Sequence, residues 1–121
     1  MYSAFDLIYT ELSKVFNNVY CQYPNTWEQF PNIQITEEDN SVAERINTTE
    51  TYTYLRYRID IWEKEDIFDN LKDIDKIIGN DIGFKRTQCI KVDDPNYVHY
   101  IMRYEGYING DNDTIYDEIQ Y

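Results

Sequence analysis

The 121 residues fit one domain, and with 42% of them hydrophobic they can build a single core without disulfide or metal support. Twenty-three acidic against 11 basic side chains leave a net charge of −12, which repels phosphate and disfavours ordinary nucleic-acid binding. Cys21 and Cys89 lie far apart without a CxxC or Cys/His cluster, so no zinc site is expected and both read as buried free thiols.

In chain order, Phe5, Leu7, Ile8, Leu12, Val15 and Phe16 recur at spacings of three and four. That spacing predicts an amphipathic helix over residues 5–16, opened by Ser3 as its N-cap. The opening residues lack a basic region followed by an apolar run, so no secretion signal is expected. Val19-Tyr20-Cys21-Gln22-Tyr23 reads as a short strand stopped by Pro24, and a loop with Trp27 and Phe30 follows. Residues 31–36 start a second strand with Ile33 and Ile35 on one face. The polar stretch 37–50 lacks periodicity and is expected to be a mobile loop.

Residues 51–62 alternate most clearly. Thr53, Leu55, Tyr57, Ile59 and Ile61 fall on one face, and Tyr52, Tyr54, Arg56, Arg58, Asp60 and Trp62 on the other. A second helix is predicted over residues 65–78, with Ile67, Phe68, Leu71, Ile74, Ile77 and Ile78 as its apolar stripe and Gly79 as its C-cap. Two further strands, 83–93 and 97–108, flank Asp94-Pro95-Asn96. The three-residue loop sets a register in which Ile90 faces Tyr100, Val92 faces Val98, Lys85 faces Glu105 and Lys91 faces His99. The expected fold class is therefore α+β, order α-β-β-β-α-β-β, a mainly antiparallel sheet with two helices on one face. Residues 1–109 form the single domain. Residues 110–121 form an acidic tail that is disordered unless Ile115, Tyr116, Ile119 and Tyr121 dock.

Candidate chemistry is sparse. There is no glycine-rich phosphate loop, GxSxG elbow or HExxH helix. Cys89 and His99 share the predicted hairpin and one face in that register, but no orienting third residue or oxyanion feature accompanies them. Asp111-Asn112-Asp113 begins like a calcium loop but lacks its glycine and closing glutamate, and Asp73 and Asp75 diverge on their helix. Asn47-Thr48-Thr49 and Asn112-Asp113-Thr114 match the glycosylation triplet, which matters only in a secreted protein. The expectation is no catalytic residue, no cofactor, no metal and no membrane partner, in a protein kept inside the cell; no segment approaches the ~20 apolar residues of a span.

The charge is uneven, with six acids and three bases in residues 63–76 and five acids and no base in residues 105–121. A solvated acidic surface accounts for much of this. Thirteen tyrosines suit half-buried positions and contact surfaces. The proposed subunit contact face is Tyr54, Arg56, Arg58, Trp62, Tyr97 and Arg103, on the helix-free side of the sheet, because Arg, Tyr and Trp are enriched at protein contacts. A solvated face with charge pairs to Asp60 and Glu105 is the alternative for the same residues.

The opening helix, the strand ending Tyr23-Pro24, and Phe30-Pro31-Asn32-Ile33 resemble the start of tailed-phage tail terminator, or tail completion, proteins. The long strand from Tyr52 to Trp62, the helix after it, Gly83-Phe84-Lys85-Arg86 and Arg103-Tyr104-Glu105-Gly106-Tyr107 continue the likeness over about residues 3–109. The resemblance implies a structural virion protein without catalytic residues. Such a protein is assembled in the host cytoplasm into a homo-oligomeric ring, usually a hexamer, at the head-proximal end of the tail. The ring would cap the tail tube and join the head-side connector. DNA would pass through its lumen without specific binding, past an acidic wall that does not hold phosphates. Alternatives are another head–tail connector, adaptor or tube-related subunit, or, from a different class, an acidic inhibitor or immunity protein.

Overall fold

A computed structural model describes residues 4–46, 50–110 and 114–116. The chain forms α1 (Ala4–Ser13), β1 (Val19–Tyr20), β2 (Asn32–Ile46), β3 (Glu50–Glu63), α2 (Phe68–Asp75), a π-helical segment (Lys76–Ile82), β4 (Lys85–Val92), β5 (Val98–Asn109) and β6 (Ile115–Tyr116). The strands make one curled sheet in the order β1-β2-β3-β5-β4. β6 takes the end of the same edge of β5 that β4 occupies, pairing with Tyr107 and Ile108 where β4 stops at Glu105. The β1–β2 pairing is parallel and the others are antiparallel. The α+β class is as expected, with β6 added to the expected order.

Strand alternation sorts the two faces. Leu55, Tyr57, Ile59 and Ile61 of β3 lie beside Ile33 and Ile35 of β2 and beside Met102 and Tyr104 of β5, and all are buried. Ile8 and Leu12 of α1, four residues apart, and Leu71, Ile74, Ile77 and Ile78 of the second helix cover this face. Full burial of each such aliphatic side chain is worth roughly 1.5–3 kcal/mol. Tyr57 and Tyr104 belong to this core rather than to a contact surface. Their rings are buried while the hydroxyls donate to carboxylates, Tyr57 to Glu37 Oε1 at 2.8 Å and Tyr104 to Asp75 Oδ1 at 2.9 Å. Burial first, and the Asp75 carboxylate second, hold the Tyr104 phenol in its neutral form far above its ordinary pKa.

Five expectations need correction. The stretch expected to be a mobile loop is strand: β2 runs on to Ile46, paired along β3, with bulges between Glu37 and Asp39 and between Val42 and Glu44. Backbone pairing does not require apolar side chains, so a polar strand near a sheet edge carries no hydrophobic period. The second helix does not stop at Gly79. It continues through a π-helical turn to Ile82, and Gly83, at φ 106°, is the left-handed cap.

The β4–β5 register holds at Lys85–Glu105 but slips by one residue at Thr87. There a bulge leaves Ile90 opposite Ile101, Lys91 opposite Tyr100 and Val92 opposite His99. The slip puts Cys89, opposite Met102, on the helix-covered face and His99 on the other, so the two cannot form a pair. Both cysteines are exposed free thiols rather than buried ones. In the tail, Ile115 and Tyr116 dock as β6. Ser3, Asn47-Thr48-Thr49, Asp111-Asn112-Asp113, Ile119 and Tyr121 lie outside the described residues.

Candidate functional site

The helix-free face of the sheet is built by the alternate residues of β3 and β5. Tyr54, Arg56, Arg58, Asp60 and Trp62 stand opposite Tyr107, Glu105, Arg103, Ile101 and His99 in that order. Arg58 and Arg103 are therefore directly opposed, which is unfavourable unless an anion lies between them. The first bulge of β2 supplies one. Between Thr36 and Asp39, β2 fits one more residue than β3 does between Arg58 and Arg56, and the extra residue is Glu38.

Glu38 Oε1 accepts from Arg103 Nε at 3.0 Å and from Arg56 Nε at 3.3 Å. Its Oε2 accepts from Arg103 Nη2 at 3.3 Å and lies 4.0 Å from Arg58 Nη1. Arg58 Nε donates to Asp60 Oδ1 at 2.8 Å, and Arg103 Nη1 donates to Gln88 Oε1. Tyr54 donates its hydroxyl to Glu105 Oε2 at 2.7 Å. Partial burial, followed by that carboxylate, raises the Tyr54 pKa. The strip is half-exposed, charge-paired within the chain and fixed in geometry.

Toward the other end of β3, the loop between β1 and β2 folds onto the same face. Trp27 stacks on Tyr97 with centroids 4.8 Å apart and meets Trp62 edge-on at 5.5 Å. Tyr23 approaches Trp62 at 5.6 Å, Phe30 lies 5.1 Å from Tyr97, and Lys64 Nζ sits 5.3 Å over the Phe30 ring. Asn32 fastens the loop by donating from Nδ2 to Thr26 O at 3.0 Å. Beneath it, His99 stacks on Trp62 at 4.5 Å, and its Nε2 is 2.8 Å from Asp60 Oδ2. Asp60, only 4% exposed, thus holds Arg58 with one oxygen and His99 with the other.

Asp94 closes the β4–β5 turn. It accepts from the backbone N–H of Asn96 at 2.9 Å and of Tyr97 at 3.0 Å. These backbone bonds, with the charge of His99 and a hydrogen bond from the Trp62 side chain adding to them against the cost of burial, draw its pKa below the ordinary 3.8.

Of the six contact residues expected from sequence, Tyr54, Arg56, Arg58 and Arg103 come together in one strip. Trp62 and Tyr97 join the aromatic cluster instead, and Trp62 is only 3% exposed. The cost of leaving those rings in water is met by Trp27 and Phe30 of the same chain. Glu38, the centre of the strip, could not be found from sequence because its segment shows no strand pattern. The Asp60–His99 contact was legible only as two polar residues on one face.

Among the described residues, no group of three or more His, Cys, Asp or Glu side chains could hold a metal ion, and no helix is long and apolar enough to cross a membrane. A shallow groove of about 350 Å³ between α1 and β1 is lined by Phe5, Tyr9, Val19 and Cys21, among others. The chain matches no protein-family model and no curated protein.

Proposed function

We propose that this chain is a structural subunit of a phage-type particle, a tail terminator whose ring caps the tail tube and meets the head-side connector. The sequence resemblance suggests the role. The observation that carries it furthest here is the helix-free strip of Tyr54, Arg56, Arg58 and Arg103, held in place by Glu38. A pre-ordered, half-exposed Arg/Tyr surface loses little side-chain freedom on docking, and that favours permanent assembly. With both helices on the opposite face, this strip is left uncovered by any helix among the described residues. In this reading the acidic balance serves the passage of DNA past the ring.

The test is the position of the chain in an intact particle. A tagged copy is expected at the head-proximal end of the tail, and particles made without the chain are expected to carry tubes of unregulated length. A chain found elsewhere, or tubes of normal length in its absence, overturns the reading. Arg58→Glu is a poor probe of the strip, because it would set a carboxylate beside the buried Asp60. Arg56→Ala, at the most exposed of the three arginines, removes contact surface with less damage to the fold.

A further inference from the structure

The β4 edge of the sheet and the stretch of β2 that extends beyond β1 carry opposite charge. β4 contains Lys85, Arg86 and Lys91 and no acid, which is three of the 11 bases of the chain on one eight-residue edge. Across the sheet, β1 covers β2 only at Ile33 and Gln34. Beyond that point, among the described residues, no strand pairs with the outer side of β2. Residues 35–42 of that open edge include Glu37, Glu38 and Asp39 and no base. Glu38 turns inward to the arginines and Arg86 lies 3.5 Å from Asp75, which leaves exposed Lys85 and Lys91 against Glu37 and Asp39 as the contrasting charges.

We propose that β4 of one copy pairs with the open edge of β2 of the next, continuing the sheet from chain to chain. Direction favours it: β2, β3, β5 and β4 alternate, so β2 and β4 run antiparallel within the sheet. Copies related by rotation about an axis along the strands then present β2 antiparallel to β4, with the helix-covered faces on the same side. Length permits it, because the open edge of β2, residues 35–46, can take all eight residues of β4. Charge selects it over the symmetric alternatives, because β4 against β4 sets lysines against lysines and β2 against β2 sets carboxylates against carboxylates. The lysines and the Thr87 bulge also discourage pairing with an uncharged strand. A contact between two different edges is head-to-tail, so it generates a closed ring or a filament rather than a dimer.

The inference deepens the ring reading and rests on it for the identity of the partner, a second copy. The test uses the purified full chain. Light scattering across a concentration series is expected to show association, and hydrogen exchange at high against low concentration is expected to show added protection in both β4 and residues 35–42. Lys85→Glu with Lys91→Glu is expected to weaken association ~10-fold or more, with the melting transition retained. Mixing that variant with Glu37→Lys plus Asp39→Lys is expected to restore association that neither shows alone. A monomer at all concentrations, protection confined to one edge, or charge reversal without effect overturns the proposal. If either variant fails to fold, the exchange pattern of the unmodified chain decides. Edge pairing in a chain absent from the tail end would sink the terminator reading alone, and a terminator indifferent to these edges would sink this one alone.

Discussion

Arg58 and Arg103 occupy directly opposed positions on β3 and β5, two guanidinium groups on one face of the sheet. The arrangement is tolerable because Glu38, displaced from the ladder by a bulge, reaches both of them and Arg56 as well. A bulge in an otherwise featureless acidic segment thus decides the electrostatics of the whole strip.

Glu38→Gln keeps the shape of the side chain and removes its charge, leaving the opposed arginines uncompensated. Half-exposed pairs are screened, so the expected loss is modest, about 1–2 kcal/mol and several degrees in Tm. In an Arg103→Met background the same substitution is expected to cost about half as much. Equal losses in the two backgrounds, measured by urea unfolding, would show that Glu38 does not act through Arg103.

Gly106 lies on the core face of β5, where the Phe84 ring occupies the space a Cβ would fill. Gly106→Ala is therefore expected to destabilise by roughly 1–3 kcal/mol, through displacement of a buried ring. Phe84→Leu also destabilises, but the double variant should be more stable than the sum of the single losses implies. Additive losses in thermal unfolding would place the strain elsewhere.

The Asp94 carboxylate is held below its ordinary pKa of 3.8 by the turn amides. A depressed acid stabilises the fold at pH values above its unfolded pKa, and that contribution is lost as pH falls through the folded pKa. Asp94→Asn should therefore be the less stable protein near neutrality. Its deficit should shrink as the pH drops below about 4, because the parent then loses the ionised cap. Urea midpoints for both proteins between pH 6 and 2 check this, and a deficit that stays constant with pH would rule out the capping charge as its source.

Much of the framework was legible in the residues themselves. The alternation in β3 fixed which side chains enter the core, and the three-and-four spacing in α1 and α2 fixed which helical faces cover it. These are local periods, and burial on one side of an element imposes them directly. The Arg/Tyr strip followed from the same alternation. Its neutralisation did not, because Glu38 comes from a segment whose strand character is a backbone property of pairing with β3. The shift at Thr87 was hidden for a related reason: a single inserted residue leaves composition unchanged but reverses the face of everything after it, and so parts Cys89 from His99.

The sequence by itself determined the α+β class, the core-facing residues of β3 and the absence of charge balance. Tertiary structure decided that Trp62 is covered by Trp27, that Asp60 joins Arg58 to His99, and that the acidic and basic edges lie on opposite sides of one sheet. The physical reason is range. Side-chain periodicity is set by neighbours three or four positions away, or two in a strand. Bulges, strand order and aromatic contacts across 35 residues or more are set by which distant backbones meet.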